Sequence, residues 1–143
     1  MRAWIARRMI ERAIRNLNAG NPGPILRNYP GEAVLVFPGD HSWGARYQGR
    51  DEIERFFRRA IAVRLQFEIT DVVVKGPPWN MTVCVRLTDR ATAPDGTEIY
   101  ANRVFEFLTL RWGRIVYQEL YLDTQKVAEF DERLGLREGA ADA

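Results

Sequence analysis

The sequence predicts an α+β fold in which a curved, antiparallel-rich sheet wraps around three N-terminal helices, with a further helix at the C-terminus. Three observations carry this expectation. Amphipathic helical periodicity dominates the first half of the chain, from Ala3 to Leu17 and again from Ile53 to Ile61. From Gln66 to Leu122 the residues change to long β-type runs, separated by turns too short to join anything but antiparallel neighbours. One face of so long a sheet is too apolar to leave wet, so helices must cover it, and the space between the two layers is a natural ligand cavity.

Taken in order, Ala3, Ala6, Ile10, Ala13, Ile14 and Leu17 recur at three- and four-residue spacing with Arg8, Arg12 and Arg15 opposite, and Gly20 supplies a left-handed stop. Asn21-Pro22 offers an N-cap and a first-turn proline to a short second helix, whose face is Ile25, Leu26 and Tyr29 before Pro30 interrupts it. Ala33 to Phe37 is a continuous apolar run closed by Pro38-Gly39-Asp40, which reads as a buried strand and its turn. A weaker strand is expected from Ala45 to Gln48. Asp51 and Glu54 have the spacing of a capping box, and Ile53, Phe56, Phe57, Ala60 and Ile61 follow it at helical spacing. Strands are expected over Phe67 to Lys75, Met81 to Arg90, Thr97 to Leu110 and Ile115 to Leu122, with turns at Gly76-Pro77-Pro78, Pro94-Asp95-Gly96 and Arg111-Trp112-Gly113. Asp123 can cap a last helix carrying Val127, Phe130 and Leu134. Residues 1–134 thus read as one domain, and 135–143 as a small, polar, frayed tail.

The chain has 143 residues, 46% of them hydrophobic, with 21 basic against 19 acidic side chains and a net charge of +2. That composition excludes a disordered chain, and no run of about 18 apolar residues is available to span a membrane. Most arginines have an acid nearby, as in Arg50-Asp51-Glu52. The cluster Arg2, Arg7, Arg8, Arg12 and Arg15 is either a solvated helix face or a basic face for an anionic partner, and neither nucleic acid nor membrane is expected as a partner. Cys84 and His41 are the only cysteine and histidine, so neither an intramolecular disulfide nor a Cys/His zinc site can form. No P-loop, dinucleotide fingerprint or secretory signal is visible, and the expectation is a cytoplasmic protein that uses no metal or cofactor. Nineteen of the 21 basic residues are arginine, which fits a GC-rich bacterial genome.

This order of elements, with Leu17-Asn18-Ala19-Gly20-Asn21 closing the first helix, Phe37-Pro38-Gly39 ending the first strand, Tyr47-Gln48-Gly49-Arg50-Asp51 opening the third helix, and Gly113-Arg114-Ile115 followed by Tyr121-Leu122-Asp123-Thr124, resembles the SnoaL-like branch of the nuclear transport factor 2-like superfamily. The resemblance spans about residues 3–134 and implies a cone-shaped fold. That branch holds polyketide cyclases, ketosteroid isomerases, limonene epoxide hydrolases and members that only bind or dimerise, so the fold leaves the function open. The isomerases' base and helix-1 tyrosine fall at Phe37 and Ala13, and only Glu106 matches their third member, a protonated carboxyl. Of the epoxide hydrolases' Asp-Arg-Asp set only Arg86 remains, with Thr88 and Leu120 at the carboxylate positions. The cyclases' histidine and aspartate fall at Gln118 and Leu120.

The candidate acid/base groups are therefore His41 and Asp40, in the turn after the first strand, and Glu106, on the face Asn102, Val104, Glu106, Leu108 and Leu110. Each has a plain alternative: a solvent-exposed turn for His41 and a dimer rim for Glu106. Arg86 either points inward, where it would hold a carboxylate or enolate, or points to solvent while Met81, Val83, Val85 and Leu87 face the core. Trp43, Tyr29, Asn102 and Gln118 are candidate ligand contacts, and the two aromatic side chains among them serve equally as wall or core. Two functions remain. One is a cofactor-free isomerase or cyclase that moves a proton on a carbonyl or polyketide-like ligand; the other is a non-catalytic ligand-binding or dimerisation domain. A homodimer is expected from the apolar outer face of the sheet, which includes Phe105, Phe107 and Tyr121.

Overall fold

Helix α1 (Ala3–Asn18) turns Ala6, Ala13 and Leu17 inward and ends at Gly20, which has φ 86°. The computed structural model describes residues 3–142, with side chains as far as residue 135. Asn18 ties the end of α1 to the sheet, because its Nδ2 donates to Phe67 O at 2.8 Å and its Oδ1 accepts from Phe67 N at 2.9 Å. The short α2 (Gly23–Leu26) follows, with Asn21 Oδ1 accepting from Gly23 N at 3.0 Å. After β1 (Val34–Phe37) and β2 (Ala45–Gln48) comes α3 (Arg50–Ala62), which buries Ile53, Phe56, Phe57 and Ala60.

The expected capping box at Asp51 is not formed. The helix is capped two residues earlier, at Gly49, and Glu52 instead accepts from Gln48 N at 2.6 Å. Gly49 has φ 88°, a conformation open to glycine at low cost, and it lets the chain turn out of β2 directly into the helix.

Strands β3 (Gln66–Lys75), β4 (Met81–Thr92), β5 (Glu98–Arg111) and β6 (Arg114–Leu122) form the expected meander. The sheet order is β2-β1-β6-β5-β4-β3, with β1 parallel to β6 and the remaining pairs antiparallel. Helix α4 (Thr124–Asp142) is capped by Asp123, whose Oδ1 accepts from Gln125 N at 3.0 Å and Lys126 N at 3.3 Å. The frayed tail expected from 135 is corrected in part: the backbone stays helical through Asp142, and Ala143 lies outside the described residues. Leu136, Arg137, Glu138, Ala140 and Ala141 are all residues that helices tolerate well, and Gly135 and Gly139 between them do not stop the helix.

The core lies between the helices and one face of the sheet. On the other face Phe105, Phe107, Tyr121 and Val73 are exposed, as the strand alternation predicts for the first three.

The turn between β1 and β2 is held by a close backbone approach. A Cβ on Gly44 would lie 2.1 Å from the backbone oxygen of Gly39, and no side-chain movement could relieve the clash. Gly44→Ala is expected to lower stability by about 2–3 kcal/mol, since the turn must open to accept it. In thermal denaturation that is a fall of several degrees, and an unchanged midpoint would show the turn to be free to move.

Candidate functional site

Alternation along β5 turns Val104, Glu106 and Leu108 toward the helices, while Arg103, Phe105 and Phe107 face out. Pairing sets Glu106 opposite Val85 of β4 and Leu120 of β6, with Gln118 one inward position away, opposite Leu108. From there Gln118 Nε2 donates to Glu106 Oε2 at 2.9 Å, and Gln118 Oε1 accepts from the hydroxyl of Tyr29 at 2.5 Å. Tyr29 is fully buried beyond α2, and its own carbonyl accepts from Arg50 Nε at 2.9 Å. The result is a donor chain, Tyr29 to Gln118 to Glu106, directed at one carboxyl.

That carboxyl borders a cavity of about 50 Å³ walled by Phe37, Trp43, Phe57, Leu120, Val127 and Phe130 among others. Its volume holds a few water molecules, at roughly 10–15 Å³ each, and is smaller than the ~300 Å³ of a typical ligand site. Leu17 also lines the cavity, whereas Ile10 and Leu108 do not. Burial in this apolar surround pushes the pKa of Glu106 up to about 7; the Gln118 hydrogen bond opposes that shift, and the nearby charge of Asp89 adds to it.

Asp89 is the site residue that sequence reasoning missed. It continues the inward alternation Met81, Val83, Val85 and Leu87 of β4, is 7% exposed, and lines the same cavity. Extending that alternation by one step groups Asp89 with Val85 and Leu87, and the packing of the helices makes that set the inward one. Burial pushes its pKa up to about 7 even though a hydrogen bond from Tyr100 opposes the shift. Its Oδ1 has no hydrogen-bond partner among the described residues. Tyr100 in turn accepts from Asn102 Nδ2 at 3.0 Å.

The other expected residues divide. Trp43 lines the cavity, its Nε1 has no hydrogen-bond partner among the described residues, and Arg59 lies over its ring at 3.9 Å. Asn102 is buried but spends its amide on structure, donating to Asp123 O at 3.0 Å as well as to Tyr100 and accepting from Arg103 N at 2.9 Å. Asp40 is exposed and lies outside the cavity lining. His41 is not brought to the cavity either. Its Nε2 lies 2.8 Å from Pro38 O and its Nδ1 accepts from Trp43 N at 3.2 Å, which sets the proton on Nε2 and uses both nitrogens to close the turn. Arg86 takes the outward alternative, exposed beside Asp71 at 3.3 Å, because its neighbours Val85 and Leu87 occupy the core face. Glu106 takes the inward one.

With this geometry in hand, the family model of the SnoaL-like domain matches residues 10–118. No curated protein matches the chain. Among solved structures, Bal32a from a soil-derived mobile gene cassette superposes with TM-score 0.73 at 16% identity, covering 90% of this chain and 98% of that one. A nuclear transport factor 2-like protein of unknown function from Burkholderia pseudomallei gives TM-score 0.72 at 15% identity, covering 88% and 96%. SalBIII, described as an epoxide hydrolase/cyclase-like enzyme in pyran ring formation in polyether salinomycin, gives 0.69 at 16%, covering 86% and 94%. At such identities the likeness is one of fold.

Proposed function

The chain belongs to the SnoaL-like domain family, and from that premise we propose that it is a cofactor-free enzyme of the isomerase or cyclase kind, moving a proton on a small hydrophobic carbonyl or polyketide-like ligand. One observation carries the reading: the Glu106 carboxyl is oriented by Gln118 inside an apolar cavity, where burial pushes its pKa up to about 7. A group whose pKa lies near the working pH both takes and returns a proton readily. Asp89, raised in the same way, is protonated in part at neutral pH and can donate to a ligand oxygen while Glu106 accepts from carbon. The unpartnered Trp43 Nε1–H is a second donor of that kind. Because the resting cavity is small, a ligand larger than a few heavy atoms enters by displacing wall side chains such as Phe57.

The test is proton exchange. Small cyclic ketones in deuterated buffer should take up deuterium next to the carbonyl faster with the protein than without it, as read by NMR. Ketones that bind with no gain in exchange would leave the non-catalytic binding domain as the better reading.

A homodimer belongs to the same proposal. Strand pairing sets Phe105 beside Tyr121 and Phe107 beside Glu119, and this exposed patch is flanked by ion-paired Arg86 and Asp71. Sedimentation equilibrium at micromolar concentration should show a dimer that Phe105→Asp converts to monomer; a monomeric parent protein would refute it. The lone thiol Cys84 suits a reducing cytoplasm, and no helix among the described residues is long and apolar enough to cross a membrane.

A further inference from the structure

The charges around the cavity are one-sided. Among the described residues that line it, Asp89 and Glu106 are the only ones that carry charge at neutral pH; no lysine, arginine or histidine is present. Helix α1 contributes Ile14 and Leu17, α3 contributes Phe56, Phe57 and Ala60, and α4 contributes Val127 and Phe130, none of them titratable. The titratable neighbours are Tyr100 beside Asp89, Tyr29 behind Gln118 and Asp123 near Tyr100; behind the wall, Arg59 lies over the Trp43 ring and is ion-paired with Asp131 at 3.6 Å, and His41 lies edge-on to Phe37. Arg90, Arg103, Glu98 and Lys126 lie with Asp89 only around a separate, open surface cleft. Arg90 is paired with Glu68, and neither Arg103 nor Lys126 forms an ion pair among the described residues. Two carboxyls thus share an apolar enclosure to which no described lining residue brings a countercharge, and Asp89 Oδ1 has no hydrogen-bond partner among the described residues.

A buried carboxylate is unfavourable unless it is paired, so a ligand that brings the missing positive charge relieves the enclosure, and one that brings a third negative charge worsens it. We infer that the cavity is charge-selective, taking the ammonium form of a small apolar amine ahead of the alcohol of the same shape and refusing the corresponding carboxylate. This rests on the cavity being the ligand site of the proposed reaction. It goes further in naming what the substrate must not carry: a negative charge at the end that meets Glu106 and Asp89.

Isobutylamine, isobutanol and isobutyrate form a suitable probe set, alike in shape and differing in charge, and small enough to ask little movement of the cavity wall. At about pH 8 the amine is still protonated while both carboxyls are largely ionised. Calorimetric titration should then show the amine binding about tenfold or more tighter than the alcohol, with no binding of isobutyrate; tenfold corresponds to about 1.4 kcal/mol. Lowering the pH to about 5.5 protonates both carboxyls and should remove most of the amine's advantage. Asp89→Asn and Glu106→Gln should each weaken the amine and spare the alcohol. Isobutyrate binding as tightly as isobutanol, equal affinity of amine and alcohol, amine binding untouched by both substitutions, or no binding of any probe would each overturn the inference. Charge preference without proton exchange on ketones would leave it standing and sink the enzymatic reading. Exchange without charge preference would do the reverse.

Discussion

Glu106→Gln is expected to slow the protein's proton exchange on ketones by about 10²- to 10⁴-fold, the contribution typical of a positioned acid/base group. The amide has the shape of the carboxyl, and its oxygen can still accept from Gln118 Nε2, which now donates to Glu106 at 2.9 Å. Geometry is therefore preserved while the transferable proton is lost. The parent rate should also change through a pH near 7, where Glu106 and Asp89 both titrate, and the variant should keep only the part of that change that Asp89 contributes. His41 serves as a contrast. Its nitrogens are bound to Pro38 O and Trp43 N, so His41→Ala should loosen the turn and leave the pH inflection in place. Retention of more than about a tenth of the exchange rate by Glu106→Gln would remove Glu106 from the role.

The second large effect concerns stability. Glu106 rises from 4.5 to about 7 and Asp89 from 3.8 to about 7 on folding, so between those values the native state holds protons that the unfolded chain has released. The sign follows directly. These groups leave folding unpenalised below about pH 4, reduce stability as pH rises toward 7, and level off above it. At 1.36 kcal/mol per unit the penalty is on the order of 3 kcal/mol for Glu106 and about 4 kcal/mol for Asp89. Glu106→Gln should therefore be more stable than the parent at about pH 8, by up to a few kcal/mol in urea denaturation, and equal to it near pH 4. A variant less stable than the parent at pH 8 would mean that the carboxylate is well satisfied in the fold and that its pKa is not raised.

Activity and stability then oppose each other at one residue. The carboxyl that destabilises the folded chain above pH 7 is the one that gives the cavity its chemistry, an arrangement expected of functional rather than structural groups.

Local elements could be read from the residues themselves because their causes are local. The 3.6-residue recurrence from Ala3 to Leu17 is its own evidence for α1, Asp123 caps α4 through two neighbouring amides, and the turn residues between the long strands force the meander. Alternation within β5 likewise separates Glu106 from Phe105 and Phe107. It also divides β4 into two sets, Arg86 with its outward neighbours and Asp89 with Val85 and Leu87, but it does not say which set meets the helices. That is decided by the packing of α1, α3 and α4 against the sheet, and it put Asp89 inside and Arg86 outside. The cap of α3 at Gly49 and the parallel pairing of β1 with β6 were hidden for a related reason, since each depends on a chain path rather than on a residue preference. The same holds for the site. Tyr29 and Gln118 lie 89 positions apart, and no periodicity or motif links them. The residues alone determined an amphipathic α+β chain with one carboxyl on the Val104 and Leu108 face of its longest strand. Only the tertiary structure supplied the donor chain that orients this carboxyl, the second carboxyl in the same cavity, and the apolar enclosure that raises both, because burial and hydrogen bonding between distant segments exist only once the sheet has closed over its helices.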